Sequence, residues 1–246
     1  NQPNQPNQPN QPTPHHTTPH HTQPHPTNPT NPTNPTNPTN PTNPAQPKLS
    51  ITGQLLTLNK ENELPEGTAT PIISSNLNEI TLNGKTIQIL PNGLPAEKNI
   101  AISPREDGDT SPEISNLTYT VWGGLRQDEG GQAKLYLFAH GQATERMPMT
   151  GTAQYKGNHW IYDITLDDWG GNAEFAVNFG DKTLDGTLQT SKKPIHLKAT
   201  ISGNTFSGEH NGVHTNGGFY GPDAAELSGV YSKPDQFSGA FGAEKQ

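Results

Sequence analysis

Between residues 195 and 201 the chain alternates without a fault. Ile195, Leu197, Ala199 and Ile201 fall on one side, and His196, Lys198 and Thr200 on the other. A period of two predicts a half-buried β-strand. AEFAVNFG repeats the pattern through Phe175, Val177 and Phe179. From Met149 onward such segments recur at roughly ten-residue spacing, parted by Gly, Asn and Asp turns. We read them as eight strands: TGTAQYKGN, HWIYDITLDDWGGN, AEFAVNFGD, KTLDGTLQTS, KPIHLKATISGN, TFSGEHNG, GGFYGPDAAELSGVY and FSGAFGAEK. Eight short strands with tight turns predict an up-and-down antiparallel barrel. Within GGFYGPDAAELSGVY, PDAAEL predicts one helical turn that interrupts the sheet, with Pro222 at its first position.

Upstream the pattern is looser but still β-rich. TLNGKTIQILPNGLP reads as strand, turn, strand and loop, and Asn83-Gly84 is a strong hairpin signal. LTYTVWGGLR and AKLYLFAHG are rich in strand formers, and PREDGDTSPE between them and the hairpin reads as an exposed loop. The predicted fold class is therefore all-β. A small β-rich domain (49–132) precedes a C-terminal eight-stranded barrel (133–246). Glycines at 208, 218, 229, 239 and 242 mark bends and close backbone approach, with Phe206, Phe219, Tyr231, Phe237 and Phe241 filling the volume beside them.

Residues 1–48 belong to neither part. Triplets of Asn-Gln-Pro and Thr-Asn-Pro place a proline at every third position, and residues 1–47 hold fifteen of the 25 prolines, no Lys, Arg, Asp or Glu, and no Phe, Tyr or Trp. Proline removes backbone donors and drives its predecessor to extended conformations. With nothing apolar to bury, such a segment is predicted to stay solvated, largely as polyproline II, and to act as a stalk. His15, His16, His20, His21 and His25 cluster in it; neutral imidazoles in a tract can hold zinc, copper or nickel, or they are simply polar positions in a spacer.

Charge and composition narrow the function. The net charge of −8 argues against a nucleic-acid partner. With no cysteine, thiolate metal sites and thiol catalysis are excluded. No apolar run is long enough to span a bilayer as a helix. There is no G-x-S-x-G elbow, H-E-x-x-H or P-loop, which argues for binding rather than catalysis. The first residue, Asn1, is compatible with removal of a signal peptide, and the acylated cysteine of a lipoprotein would lie upstream of it.

Several stretches carry a family resemblance: MPMTGTAQYKGNHW, FAVNFGDKTLDGTL and, above all, FSGEHNGVHTNGGFYGPDAAELSGVY with the closing FGAEKQ. They resemble the barrel domain of transferrin-binding protein B, which recurs in the neisserial heparin-binding antigen, factor H-binding protein and the haem-binding hemophilins. Gly217, Gly218, Phe219, Tyr220, Gly221, Ala225, Glu226, Leu227 and Gly229 fall on the family pattern. NGKTIQILPNG, YTVWGG and HGQATERMPMTG look more loosely like the handle or clamp that precedes such barrels. The resemblance implies a secreted or outer-membrane surface protein of a Gram-negative bacterium, exported by an assembly modulator that recognises the barrel. It also implies a partner such as haem or a host iron-carrier protein. The single handle-plus-barrel lobe looks most like a hemophilin, so haem is the expected captured ligand. A surface protein that binds transferrin, haemoglobin or a complement regulator, or an adhesin, is the alternative.

Haem needs an axial ligand and an apolar slot. His140 is the first candidate ligand, with Arg146 as a propionate partner and Met147 and Met149 nearby. Tyr119 and Trp122 are alternative contacts, though both residue types also suit core packing. His159 opens a strand beside Trp160, and His196 falls on a polar strand face. His210 and His214 flank a turn and are a weak metal candidate. Asp163, Asp167 and Asp168 read as a solvated turn with, at most, a calcium-binding role. A haem-capture protein predicts an apolar cleft between handle and barrel with a His or Tyr in it; a protein-binding surface predicts a patch on loops such as 104–116.

Overall fold

A computed structural model describes residues 50–59, 64–90, 92–99, 114–128, 133–163 and 170–246. The stalk with its five histidines, Asp167, Asp168 and residues 104–113 of the predicted exposed loop lie outside them. The side chain of Asp163 does so as well. The fold is all-β, with no α-helix among the described residues. The strands are β1 (Ile51–Thr57), β2 (Thr70–Ser74), β3 (Glu79–Leu82), β4 (Lys85–Gln88), β5 (Ile114–Asn116), β6 (Thr120–Asp128), β7 (Ala133–Gln142) and β8 (Thr152–Asp163). There follow β9 (Gly170–Asn178), β10 (Thr183–Leu188), β11 (Ile195–Ser202), β12 (Thr205–His210), β13 (Val213–Tyr220), β14 (Glu226–Lys233) and β15 (Phe237–Lys245).

Strands β8 to β15 pair antiparallel in chain order and close through β15 and β8 into an eight-stranded barrel. The strand number matches the sequence reading, although two of its divisions do not. TGTAQYKGN and HWIYD form one twelve-residue strand, β8. GGFYGPDAAELSGVY is two strands, β13 and β14, joined by a single 3₁₀ turn at Pro222–Ala224. The barrel is filled rather than hollow. Phe175, Phe206, Phe219, Tyr231 and Phe241 are all buried in one cluster, and ring centroids lie 4.9 Å apart for Phe175 and Phe241. Along β11 burial alternates at every position from Ile195 to Ser202.

The handle is a five-stranded sheet in the order β2-β1-β7-β6-β5, with the β3–β4 hairpin over it. Asn83 and Gly84, both at positive φ, make the hairpin turn. Residues 133–142, grouped with the barrel on sequence, are the central strand of this sheet: β7 pairs with β1 on one side and β6 on the other. The physical reason explains their hydrophobic run. Both faces of β7 are buried, so alternation disappears. Tyr136 and Phe138 face the hairpin side with Ile80, Leu82 and Ile114. Leu135, Leu137 and Ala139 face the barrel, where they meet Trp160, Val230 and Ala240.

Candidate binding surface at the handle–barrel seam

Handle and barrel share a core. Leu56, Leu58 and Trp122 from the handle pack with the outer wall of β8, β14 and β15. Trp122 is only 2% exposed. Its indole lies over Gly242, where any Cβ would overlap the ring. Glycine is required there because the backbone of β15 is the surface on which the indole rests.

The segment Phe219 to Ser228 anchors the rest of the seam. Glu226, 1% exposed, accepts the backbone N–H groups of Thr118 and Tyr119, each at 2.8 Å. Those donors belong to the turn that leads into β6, and no strand partner uses them. Burial raises the Glu226 pKa above its ordinary value, against the downward pull of the two N–H groups, and Glu244 adds to the rise. Next to it, Lys98 of the handle pairs with Glu244 of the barrel at 2.9 Å. That pair is solvent-exposed and contributes little. Further along, Thr120 Oγ1 and Ser228 Oγ lie 2.6 Å apart, and the Thr120 hydroxyl donates to the His140 carbonyl at 2.7 Å. Gly221, at φ 74°, brings its backbone against the Tyr119 ring. Thr144 donates its hydroxyl to the Gly221 carbonyl at 2.8 Å. The Gly221 N–H donates to Gln142 O at 2.8 Å.

Glu226 was missed as a functional position by sequence reasoning. The available signal was a lone carboxylate inside an otherwise small and apolar run. Glu226→Ala leaves two part-buried N–H groups without their acceptor, so urea unfolding at pH 7 should show a loss of about 2 kcal/mol. Glu226→Gln keeps one acceptor oxygen and should lose less. Since the folded pKa is raised, this carboxyl's own titration favours the folded state most below pH 4.5. That contribution declines as pH rises through the raised value.

The sequence-predicted site residues do not converge. His140 is fully buried on the hairpin side of β7, away from the seam. Its Nδ1 lies 3.3 Å from Ser74 Oγ and its Nε2 3.2 Å from the Leu77 carbonyl. Burial depresses its pKa to about 4, partly offset by the bond to Leu77. With both nitrogens engaged and no exposure, His140 is a core residue here rather than an open axial ligand. Trp122 is buried in the seam core, and Tyr119 is a half-buried seam contact against Gly221. Met147 packs against the barrel core, and Met149 is 76% exposed.

His159 is buried inside the barrel, with Nδ1 2.8 Å from Tyr231 Oη and Nε2 2.7 Å from Gln189 O. His196 is exposed on β11, 3.4 Å from the Thr187 hydroxyl. His210 pairs across the ladder with Val213, an interior residue, and His214 with Glu209. Directly opposed residues share a face, so His210 and His214 point to opposite faces of the wall and cannot hold one metal. No group of three or more metal-ligating side chains occurs among the described residues.

Arg146 does reach a concave site. A cleft of about 490 Å³ opens where the β7–β8 connection meets the β13–β14 turn, lined by Gln142, Ala143, Glu145, Arg146, Gly221, Pro222 and Asp223. It carries both charge signs and has no His or Tyr among its described lining residues. Asp223 and Ala224, at φ 52° and 55°, hold a left-handed backbone beside it. The Tyr155 hydroxyl fixes that turn by donating to the Ala224 carbonyl at 2.7 Å.

Residues 147–245 match the family model described as the C-lobe and N-lobe beta barrels of Tf-binding protein B. An uncharacterized protein of Haemophilus influenzae is 36% identical over 124 residues, covering 45% of this chain and 43% of that one. Transferrin-binding protein B of Haemophilus influenzae is 29% identical over 161 residues, covering 48% of this chain and 26% of its own. The chain thus spans less than half the length of these relatives. Among solved structures, isotype 1 transferrin-binding protein B of serogroup B Neisseria meningitidis superposes with a TM-score of 0.57 at 25% identity. That match covers 80% of this chain and 43% of the other. Residues 147–245 therefore form a β-barrel like those of transferrin-binding protein B.

Proposed function

We propose that this chain is a binding protein, not an enzyme, displayed on or released from the surface of a Gram-negative bacterium. Its ligand in this reading is a host iron-carrier protein, gripped by handle and barrel acting as one rigid body. The observation that carries the proposal is the match of residues 147–245 to barrels of proteins named for transferrin binding. The shared handle–barrel core adds to it: a body that does not flex suits recognition of a large, structured partner. Export would depend on machinery that recognises the barrel. Haem capture, the expectation from the resemblance, would need an axial ligand other than the buried His140.

The test sets the two ligands side by side. The full chain is immobilised and exposed to transferrins from several mammals and to haemoglobin, while haemin is titrated against the chain in solution. Saturable binding of a transferrin, with no change in the haemin absorption spectrum, is the expected result. A one-to-one Soret shift without capture of any carrier protein would replace this reading with haem capture.

A further inference from the structure

The handle sheet ends at β2, and no described strand lies beyond it. The direction of its backbone groups follows from the pairing beside it. Leu58 donates its N–H to the Leu135 carbonyl, and Ala143 donates to the Ser50 carbonyl. The even-numbered residues of β1 therefore turn their backbone groups to β7. Odd-numbered Ile51, Gly53 and Leu55 turn to β2, where they meet Ser74, Ile72 and Thr70. That leaves Pro71 and Ile73 aimed at the open edge. Proline is tolerated at such a position because the N–H it lacks would only have faced water. The edge thus presents the Ile73 N–H and the carbonyls of Ile73 and Pro71.

The side chains alternate in step. Ile72 packs on the hairpin-side core, and Ser74 is buried with its Oγ 3.3 Å from His140 Nδ1. Pro71 and Ile73 are exposed on the opposite face. Ile73 and Met149 are the exposed large hydrophobic residues among those described, each at 76%. Proteins ordinarily blunt such an edge with charge. Here no Asp, Glu, Lys or Arg occurs between Glu66 and Glu79.

We propose that this edge pairs with the same edge of a second copy of the chain, forming a two-fold antiparallel dimer. Two identical charged edges would repel each other, and two uncharged ones do not. Centred on Ile73, the pairing exchanges two N–H···O=C bonds between the two Ile73 residues and sets their side chains directly opposite on one face. A register centred on Ile72 would leave each Ile73 carbonyl facing a proline, which has no donor. Growth stops at two copies, because the far edge of the sheet, β5, has only three residues to offer in head-to-tail pairing. Residues 1–47 are a poor alternative occupant, since a proline at every third position interrupts any row of donors. The pairing involves neither the seam nor the identity of a carrier-protein partner.

Sedimentation equilibrium of the full chain tests this. The mass should rise from one copy toward two with a dissociation constant of about 10–100 μM, the weak range expected of an interface below standard size. In the single chain the Ile73 N–H faces solvent, so its hydrogen exchange should slow more than about tenfold as the dimer fills. Ile73→Lys opposes like charges across the two-fold axis and should weaken dimerisation more than about tenfold. It should leave thermal unfolding of the dilute chain nearly unchanged, because the side chain is exposed. Met149→Lys adds the same charge at the other exposed apolar residue and should leave the dimer as it is. A chain that stays single at about 500 μM would overturn the proposal. Equal weakening in the two lysine variants would also overturn it, since association would then follow general surface character rather than this edge. So would a dimer in which the Ile73 N–H exchanges as fast as in the single chain.

Discussion

Trp122→Ala should lower the unfolding free energy by about 3–5 kcal/mol. It should also separate handle from barrel as cooperative units. The indole is, with that of Trp160, the largest side chain in the seam core, and it is the one the handle contributes. Gly242 and Ala240 on β15 offer no side chain that could collapse into the space. Among the described residues the indole nitrogen has no hydrogen-bond partner, so it already costs something to bury. Trp122→Phe separates the two contributions. It removes that orphaned N–H while keeping most of the apolar area, and should lose markedly less than the alanine variant. Unfolding followed by calorimetry should show one transition in the parent and two in Trp122→Ala, with the handle melting first because its sheet has two edges and a smaller core. Limited proteolysis at a temperature between the two should cut the handle and spare residues 152–245. A single transition shifted down as a whole would mean that the seam is held mainly by Glu226 and the backbone contacts around Gly221.

The barrel was legible in the sequence where one face is buried and the other wet. β11 shows this at every position. The strand number came out right through two errors of opposite sign. β8 was cut at His159 because Gly157 and Asn158 look like a turn. Gly157 instead marks close approach, since a Cβ there would strike the Gly242 carbonyl of β15. β13 and β14 were fused because the turn between them is only a few residues long. Strands buried on both faces give no period, so β7 carried no sign of which sheet it joins. The seam was legible as a motif but not as a contact. Gly242 reads on sequence as a close approach within the barrel, and Gly221, Tyr220 and Glu226 only as family-pattern positions, whereas all four receive the handle. Such pairings join residues more than a hundred positions apart, as Thr118 and Glu226 do, and no local pattern reports them.

Histidine 140 shows the same limit from the side of chemistry, and its burial has a measurable consequence. An unfolded chain binds a proton at this histidine near pH 6.5, whereas the folded chain resists protonation until about pH 4. Between those values the unfolded state holds more protons, so stability falls as pH falls. The contribution is complete above pH 6.5 and is lost progressively down to about pH 4. A shift of this size corresponds to about 3 kcal/mol. Glu226 acts with the opposite sign at the acid end of the same range, because its carboxyl takes a proton more readily folded than unfolded. The two partly cancel just above pH 4.5, so the wild-type profile alone hides both. Variants separate them. His140→Gln can still donate to the Leu77 carbonyl and accept from Ser74, and it cannot titrate. Its unfolding free energy, measured in urea at half-unit steps from pH 7.5 to 4, should start somewhat below that of the parent. It should then decline less steeply and meet or cross the parent curve near pH 5. If parent and variant curves stayed parallel, His140 would be reachable by solvent in the folded protein. An imidazole that takes up protons freely would then be available to a ligand, and the haem reading would recover its axial residue.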